Sequence, residues 1–234
     1  MEKKEKLYEG KAKIIYKTDQ DGLVIQHFKD DATAFDGEKK DTVMGKGVAN
    51  NNISSKMFKL VEKAGIKTHF VKKLSDNEML VKNVEIIQVE TIVRNISAGS
   101  FCRKYGVEEG IVFEKPTVEF SYKSDEHHDP LMNDDHIRVM GLATEKEVET
   151  MRTKALEINE ILKKFFASIG ITVVDFKLEF GRHNGEVLLA DEISPDTCRF
   201  WDNKTKKKLD KDRFRFDLGG VEETYAEMMK RIGG

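Results

Sequence analysis

Three prolines and two cysteines in 234 residues leave this chain few hard breaks and little covalent cross-linking chemistry. Cys102 and Cys198 stand far apart and lack metal-site spacing, so free thiols in a cytoplasm are the expectation. No run of eighteen apolar residues occurs, which excludes a transmembrane helix of ordinary length. The start, MEKKEKLYEG, is charged but carries no hydrophobic segment, so it does not read as a signal peptide. Net charge is only −2, which gives no general pull toward nucleic acid or an anionic membrane; any basic site must be local. No linker or low-complexity segment interrupts the chain. What remains is 39% hydrophobic and 35% charged, a soluble globular composition long enough for one large domain or two small lobes.

The most informative stretch is Thr172 to Trp201, TVVDFKLEFGRHNGEVLLADEISPDTCRFW. Val174, Phe176, Leu178 and Phe180 alternate with Asp175, Lys177 and Glu179, the period-two signature of a half-buried strand. Acid, base and acid in a row is unusual for a solvent face. Asn184-Gly185 predicts a hairpin, and the second strand, Glu186 to Ile193, ends in Asp191 and Glu192. Two registers are open. A two-residue loop pairs His183 with Glu186 and sets Glu179 opposite Ala190, away from Asp191. A three-residue loop pairs Lys177 with Asp191 and brings Glu179 onto the diagonal of the same face. In that second register Glu179 and Asp191 suit Mg²⁺, a hard cation that takes one or two carboxylates and leaves places for phosphate oxygens. Lys177 would then be a fixed positive charge for an anionic substrate. A salt-bridged sheet face explains the same residues equally well.

Elsewhere, Ile14 to Tyr16 and Leu23 to Phe28 read as antiparallel strands around Asp21-Gly22. Gly10-Lys11-Ala12-Lys13 before them could bring backbone N–H groups and two lysines to a phosphate, or be a plain turn; G-x-x-x-x-G-K-[ST] is absent. Asp30 to Lys40 reads as a loop, in which Asp36 is either a ligand-facing acid or part of an Asp-Gly turn. A helix is predicted over 47–64, with Asn50-Asn51-Asn52 as its cap region and Gly65 ending it. Strands are predicted over 68–73 and 78–82. Val84 to Asn95 is the crossing from a first lobe to a second. Arg94 and the small residues through Ser100 make an anion cradle, or a plain strand-to-helix turn. Lys123 to His136 reads as a long polar loop whose histidines and acids match no metal-site spacing. Thr144 and Glu147 form a capping box for a core helix ending at Gly170, packed on the hairpin sheet. Lys204 to Arg215 reads as a solvated basic face without stacking aromatics, and Val221 to Ile232 as a terminal helix.

LYEGKAKIIY at 7–16, TAFDGEKK at 33–40, VRNISAGS at 93–100, HDPLMNDDH at 128–136, DFKLEFG at 175–181, LADEISPDTCRFWD at 189–202 and KDRFRFDLGG at 211–220 together resemble the SAICAR synthetases, the phosphoribosylaminoimidazole-succinocarboxamide synthases. The resemblance runs from Leu7 to about Gly220. It implies an α+β fold of two lobes, a small N-terminal antiparallel β lobe (1–84) and a larger α/β lobe (85–234), with nucleotide in the cleft, distantly like kinases and ATP-grasp enzymes. It implies a cytoplasmic C–N ligase of purine biosynthesis, often a homodimer, joining L-aspartate to the carboxylate of carboxyaminoimidazole ribonucleotide (CAIR) with ATP and Mg²⁺.

Carried over by position, Gly10, Lys11, Ala12 and Lys13 would hold ATP phosphates. Val81, Lys82 and Val84 would meet adenine, and Lys123 would lie near the nucleotide. Glu179 and Asp191 would ligate the metal. Arg94, Ser100 and Arg199 would bind the ribonucleotide phosphate. Lys177 and Arg215, with Asp175, would serve the reacting groups, and Asp36, Asp129 and Asp196 would be further polar members of the site. Two other classes stay open on the residues alone: a small-molecule kinase of the same ATP-binding architecture, and a nucleotide-sensing or RNA-binding module using 204–215.

Overall fold

The computed structural model describes residues 2–34 and 38–233. Two antiparallel sheets and six α-helices surround one large hydrophobic core and two smaller apolar clusters among these residues. The first sheet is built from β1 (Lys3–Glu9), β2 (Lys13–Thr18), β3 (Leu23–Phe28), β6 (Phe70–Lys73) and β7 (Glu78–Lys82), in the order β1-β2-β3-β7-β6. The two apolar stretches that predict β2 and β3 as antiparallel strands are borne out. β1 is an addition: its residues KKEKLYE are all exposed, and it pairs with β2 through two register shifts. A lysine-rich outer strand carries no apolar period, and its charges discourage further edge pairing. A two-stranded ribbon, β4 (Asp31–Ala34) with β5 (Lys39–Thr42), replaces much of the loop expected over 30–40.

The second sheet runs β10-β9-β8-β11-β12, with β8 at Glu85–Ile96, β9 at Val112–Tyr122, β10 at Leu131–Met132, β11 at Ile171–His183 and β12 at Glu186–Ala190. β13 (Cys198–Asp202) pairs with β11 beyond the end of β12. β11 is therefore central, with β8 on one side and β12 then β13 on the other. Its apolar face packs on α4 (Glu145–Ser168), whose Val148, Met151, Ala155, Ile158, Leu162 and Phe166 are all buried. Phe166 stacks toward Phe200 of β13 with ring centroids 4.4 Å apart. Two acids of the polar face are buried as well, each beneath its own ion-pair partners: Asp175 is 3% and Glu179 4% exposed.

The remaining helices are α1 (Lys46–Lys63), α2 (Ser100–Tyr105), α3 (Asp134–Val139), α5 (Asp212–Arg215) and α6 (Val221–Ile232). α1 begins after Gly45, so the expected asparagine cap is corrected. Asn50, Asn51 and Asn52 lie inside the helix, and Asn51 Nδ2 donates to the carbonyls of Ser75, Asp76 and Glu78, tying the β6–β7 turn to the helix. The polar stretch before α4 is more ordered than a loop. Asn133 caps α3, and His136, three residues on, returns the bond to the Asn133 N–H as the other half of a capping box. No described helix is long and apolar enough to cross a membrane.

Candidate active site

A cavity of about 820 Å³ opens between the two sheets. Its walls are the β1–β2 turn, the β4–β5 ribbon, the polar faces of β8 and β11, the segment after β12, and residues at α5. The hairpin register explains how the carboxylates reach it. His183 pairs with Glu186 and Glu179 with Ala190, so the loop has two residues and the three-residue register is corrected. Glu179 and Asp191 nonetheless face the same cavity, because the ladder stops at Ala190 and Asp191 takes a left-handed conformation, φ +59°. That turn breaks the alternation that would have aimed Asp191 at the other face. It is an uncommon conformation outside glycine that aspartate tolerates better than most residues. The first sheet holds it there: Gln26 Nε2 donates to the Asp191 carbonyl at 3.1 Å, and the Lys13 ammonium bridges the Asp191 and Glu192 carboxylates.

Directly opposed residues in neighbouring strands share a face. Arg94 opposes Asp175, Ile92 opposes Lys177 and Glu90 opposes Glu179 between β8 and β11, while Arg199 of β13 opposes Asp175 from the other side. Asp175 is thus clamped between two arginines, at 2.8 Å from Arg94 Nη1 and 3.0 Å from Arg199 Nη1. Arg94 also gives Nε and Nη2 to Glu119 at 2.9 and 3.0 Å and Nη2 to Ser100 Oγ at 3.1 Å. Lys177 Nζ donates to Glu179 at 2.7 Å and to Glu90 at 2.8 Å, and Lys123 Nζ reaches Glu179 at 2.8 Å.

These contacts set the charge states. Burial works against ionised Glu179, but Lys177 and Lys123 outweigh it and hold the carboxyl well below the usual range. Burial likewise opposes the Lys177 and Lys13 ammoniums. Glu179, Glu90 and Asp191 around Lys177, and Asp191 and Glu192 around Lys13, hold both above the ordinary lysine range. Glu90 shares Lys177 with Glu179 and loses the competition. Burial pushes its carboxyl up despite the lysine, and the Glu179 charge adds to the rise.

The sequence-predicted residues divide clearly. Gly10, Lys11, Ala12, Lys13, Arg94, Ser100, Lys123, Asp129, Asp175, Lys177, Glu179, Asp191, Asp196, Arg199 and Arg215 all line the cavity. Val81, Lys82 and Val84 are not brought to its wall. The Lys82 N–H is given to the His69 carbonyl, and Val84 packs on Gly181, where a Cβ would lie 2.6 Å from its Cγ2. Asp36 lies outside the described residues. The Gly10 N–H is spent inside its turn on the Lys13 carbonyl at 2.8 Å, and Lys11 Nζ reaches across to Asp125 at 2.7 Å. Asp196 is buried and saturated, by Lys46 Nζ at 2.9 Å and by the Tyr225 hydroxyl at 2.6 Å. Burial works against its charge, but Lys46, Lys211 and Tyr225 hold the carboxyl well below the usual range. The solvated basic face expected at 204–215 is corrected at its far end, where Leu209, Asp210, Asp212 and Phe214 are buried and Lys211 and Arg215 face the cavity.

Glu90 was not singled out from sequence, and Glu192 was named at the end of the hairpin without a role. Glu90 carried a signal, since Glu90, Ile92 and Arg94 alternate onto one face of β8. Glu192 carried none beyond adjacency to Asp191. Gly99 has φ +55° and ψ −122°, a region essentially reserved for glycine. A Cβ there would sit 2.7 Å from Arg199 Nη1 and closer still to Nη2 and Cζ, so the arginine occupies the space glycine leaves empty.

The family model described as SAICAR synthetase matches residues 6–232. The chain belongs to the SAICAR synthetase family. A phosphoribosylaminoimidazole-succinocarboxamide synthase of Thermoanaerobacter sp. (strain X514) is 58% identical over the whole of both chains. That of Lachnoclostridium phytofermentans is 54% identical, covering 100% of this chain and 99% of its own. Among solved structures, a SAICAR synthetase in complex with ADP superposes with a TM-score of 0.94 at 50% identity, covering 98% of each chain. The synthase of Ehrlichia chaffeensis gives 0.95 at 48% identity over 97% of this chain and 98% of its own. The two-lobed α+β architecture is therefore that of a SAICAR synthetase, and the chain is an enzyme of that family.

The donors also fit the metal that the family resemblance implies. Glu179 and Asp191 offer hard oxygen donors to one cavity, Glu179 beside Lys177 and Asp191 beside Lys13. Among the described residues no three His, Cys, Asp or Glu side chains converge as a protein-only cage. Two carboxylates with places left for phosphate oxygens suit Mg²⁺ rather than zinc.

Proposed function

We propose that this enzyme uses ATP to join L-aspartate to the carboxylate of CAIR, forming SAICAR, ADP and phosphate in purine biosynthesis, in a cleft between lobes of residues 1–84 and 85–234. The observation that carries this is a single cavity in which the Glu179 and Asp191 carboxylates stand among seven lysines and three arginines, with no histidine among its described lining residues to serve a nucleophile. A carboxylate resists attack by an amine until one of its oxygens becomes a leaving group. Transfer of the γ-phosphoryl group from ATP to that oxygen breaks the bond to ADP and forms an acyl phosphate. The aspartate amine then attacks the carbonyl carbon, phosphate departs, and the amine gives up a proton. Such transfer asks the protein for positioning and positive charge more than for covalent help.

In this reading Glu179 and Asp191 hold Mg²⁺, which would neutralise charge on the ATP phosphates. Lys11, Lys13 and Lys123 face the triphosphate. Ser100 Oγ accepts from Arg94, so its own proton is available for the ribonucleotide phosphate, alongside Arg199. Lys177 and Arg215 face the carboxylate and the phosphoryl group in transit, and Asp129 and Asp196 complete the polar lining. Localisation in the cytoplasm and a homodimeric state complete the proposal; light scattering on the purified protein reads the latter.

The deciding experiment measures ADP release with ATP and Mg²⁺, adding CAIR and L-aspartate separately and then together. ADP formed only with both, alongside SAICAR, is expected. ADP formed with the ribonucleotide alone would make the enzyme a kinase toward it, and no ADP under any condition would overturn the ATP-dependent reading.

A further inference from the structure

Asp212 does not line the cavity, yet it touches two arginines that do. Its Oδ2 accepts from Arg199 Nε at 2.8 Å and its Oδ1 from Arg215 Nη1 at 2.6 Å. The Asp212 side chain is wholly buried, and it opens the short helix α5 that carries Arg215. Burial works against its charge, but Arg199 and Arg215 outweigh that and hold its carboxyl below the usual range. Beyond Arg199 the pairing continues to Asp175, Arg94 and Glu119, so that acid and base alternate through six side chains from β9 to α5. Arg94 and Arg199 are each held by two carboxylates and Arg215 by one, and an arginine so held loses less freedom when it meets an anion.

We propose that Asp212 is a positioning residue, which aims Arg199 and Arg215 together at the anionic ribonucleotide substrate and is not needed to bind ATP. Arg199 comes from β13 and Arg215 from α5, and the backbone alone does not couple their guanidinium groups. One buried carboxylate shared between them does. Its removal leaves Arg215 without its carboxylate anchor and Arg199 held by Asp175 alone, and a displacement of about 1 Å at a reacting centre can cost on the order of 10²-fold in rate.

The proposal rests on the ribonucleotide ligase reading, so the wild-type enzyme is the first arm of its test. No SAICAR from wild type would overturn that reading itself. Given wild-type turnover, steady-state kinetics of Asp212→Asn and Asp212→Glu follow, with the melting temperature of each. The expected result is a rise of at least about tenfold in the KM for CAIR and a lower kcat for D212N, equivalent to about 1.4 kcal/mol or more. The KM for ATP should stay within about twofold, and D212E should recover part of the loss because its carboxylate can still bridge. A proportional rise in both KM values, or a fall in kcat alone with neither KM moved, would overturn the positioning role. Loss of the fold in both variants would make Asp212 a folding residue and overturn it equally.

Discussion

Asp191 shows how much can hang on one backbone angle. Its φ of +59° turns the last carboxylate of the hairpin into the cavity that Glu179 already faces. If the pair holds the metal, Asp191→Asn removes charge but keeps shape, and kcat should fall by on the order of 10²-fold or more while the melting curve stays near wild type. Near-normal turnover would take Asp191 out of the metal site. Gly99→Ala makes the complementary test, because it adds one methyl group where the Arg199 guanidinium lies. It should raise the KM for CAIR by about tenfold or more and leave that for ATP alone; a silent variant would place Arg199 outside the substrate site.

Asp210 supplies a residue-scale pH dependence. Burial, then the charge of Asp212, push its carboxyl up to about 7 from an ordinary 3.8. Between those values the folded chain keeps a proton that the unfolded chain has released. Its stabilising effect is therefore full below the unfolded value and is lost as pH rises through about 7. Melting temperatures of wild type and Asp210→Asn should accordingly converge or cross in the variant's favour between pH 4 and 7. A difference independent of pH would show that Asp210 does not titrate there.

At the scale of elements, legibility followed the strength of the local period. Helices α1 and α4 and strand β11 were predicted from spacing because their apolar faces meet a core. α4 was also marked by its Thr144–Glu147 capping box, which the structure contains. Thr144→Ala should cost about 1 kcal/mol, or a fall of roughly 2–4 °C in melting temperature for a chain of this size. No measurable change would mean that the helix end is held by tertiary packing alone. β1 and the β4–β5 ribbon escaped, since one is a charged outer strand and the other a short pair made mostly of polar and small residues. α3 escaped because Asp134–Val139 is six residues long and sits in a polar stretch with a proline. The hairpin loop was predicted from Asn184-Gly185, but its two-residue length was not decided until both strands were seen paired.

The whole molecule is two sheets that meet over one polar cavity. Lys13 and Gln26 of the first sheet grip Asp191 beyond the end of β12 in the second, and Leu189 exchanges backbone bonds with Lys67 and His69. A nucleotide held by Lys11 and Lys13 on one side and by Glu179 and Asp191 on the other would tie the same two halves. ATP with Mg²⁺ at about 100 times its Kd should thus add about 2.7 kcal/mol of stability. A thermal shift no larger than that given by Mg²⁺ alone would remove the nucleotide from this cleft.

By itself the sequence determined that no apolar run is long enough for a membrane-spanning helix, that β11 has one apolar and one charged face, and that motifs shared with SAICAR synthetases run along nearly its whole length. Those features are local: they depend on composition, on residue spacing and on runs of identity. Only the tertiary structure decided that Asp175 stands between Arg94 and Arg199, that Asp196 is spent on Lys46 and Tyr225, and that Asp212 joins Arg199 to Arg215. These pairings join strands and helices from 13 to 150 residues apart in the chain, with Asp212 and Arg215 the exception at three. A buried charge takes whichever partner the fold brings within reach, and periodicity along one strand carries no record of that choice.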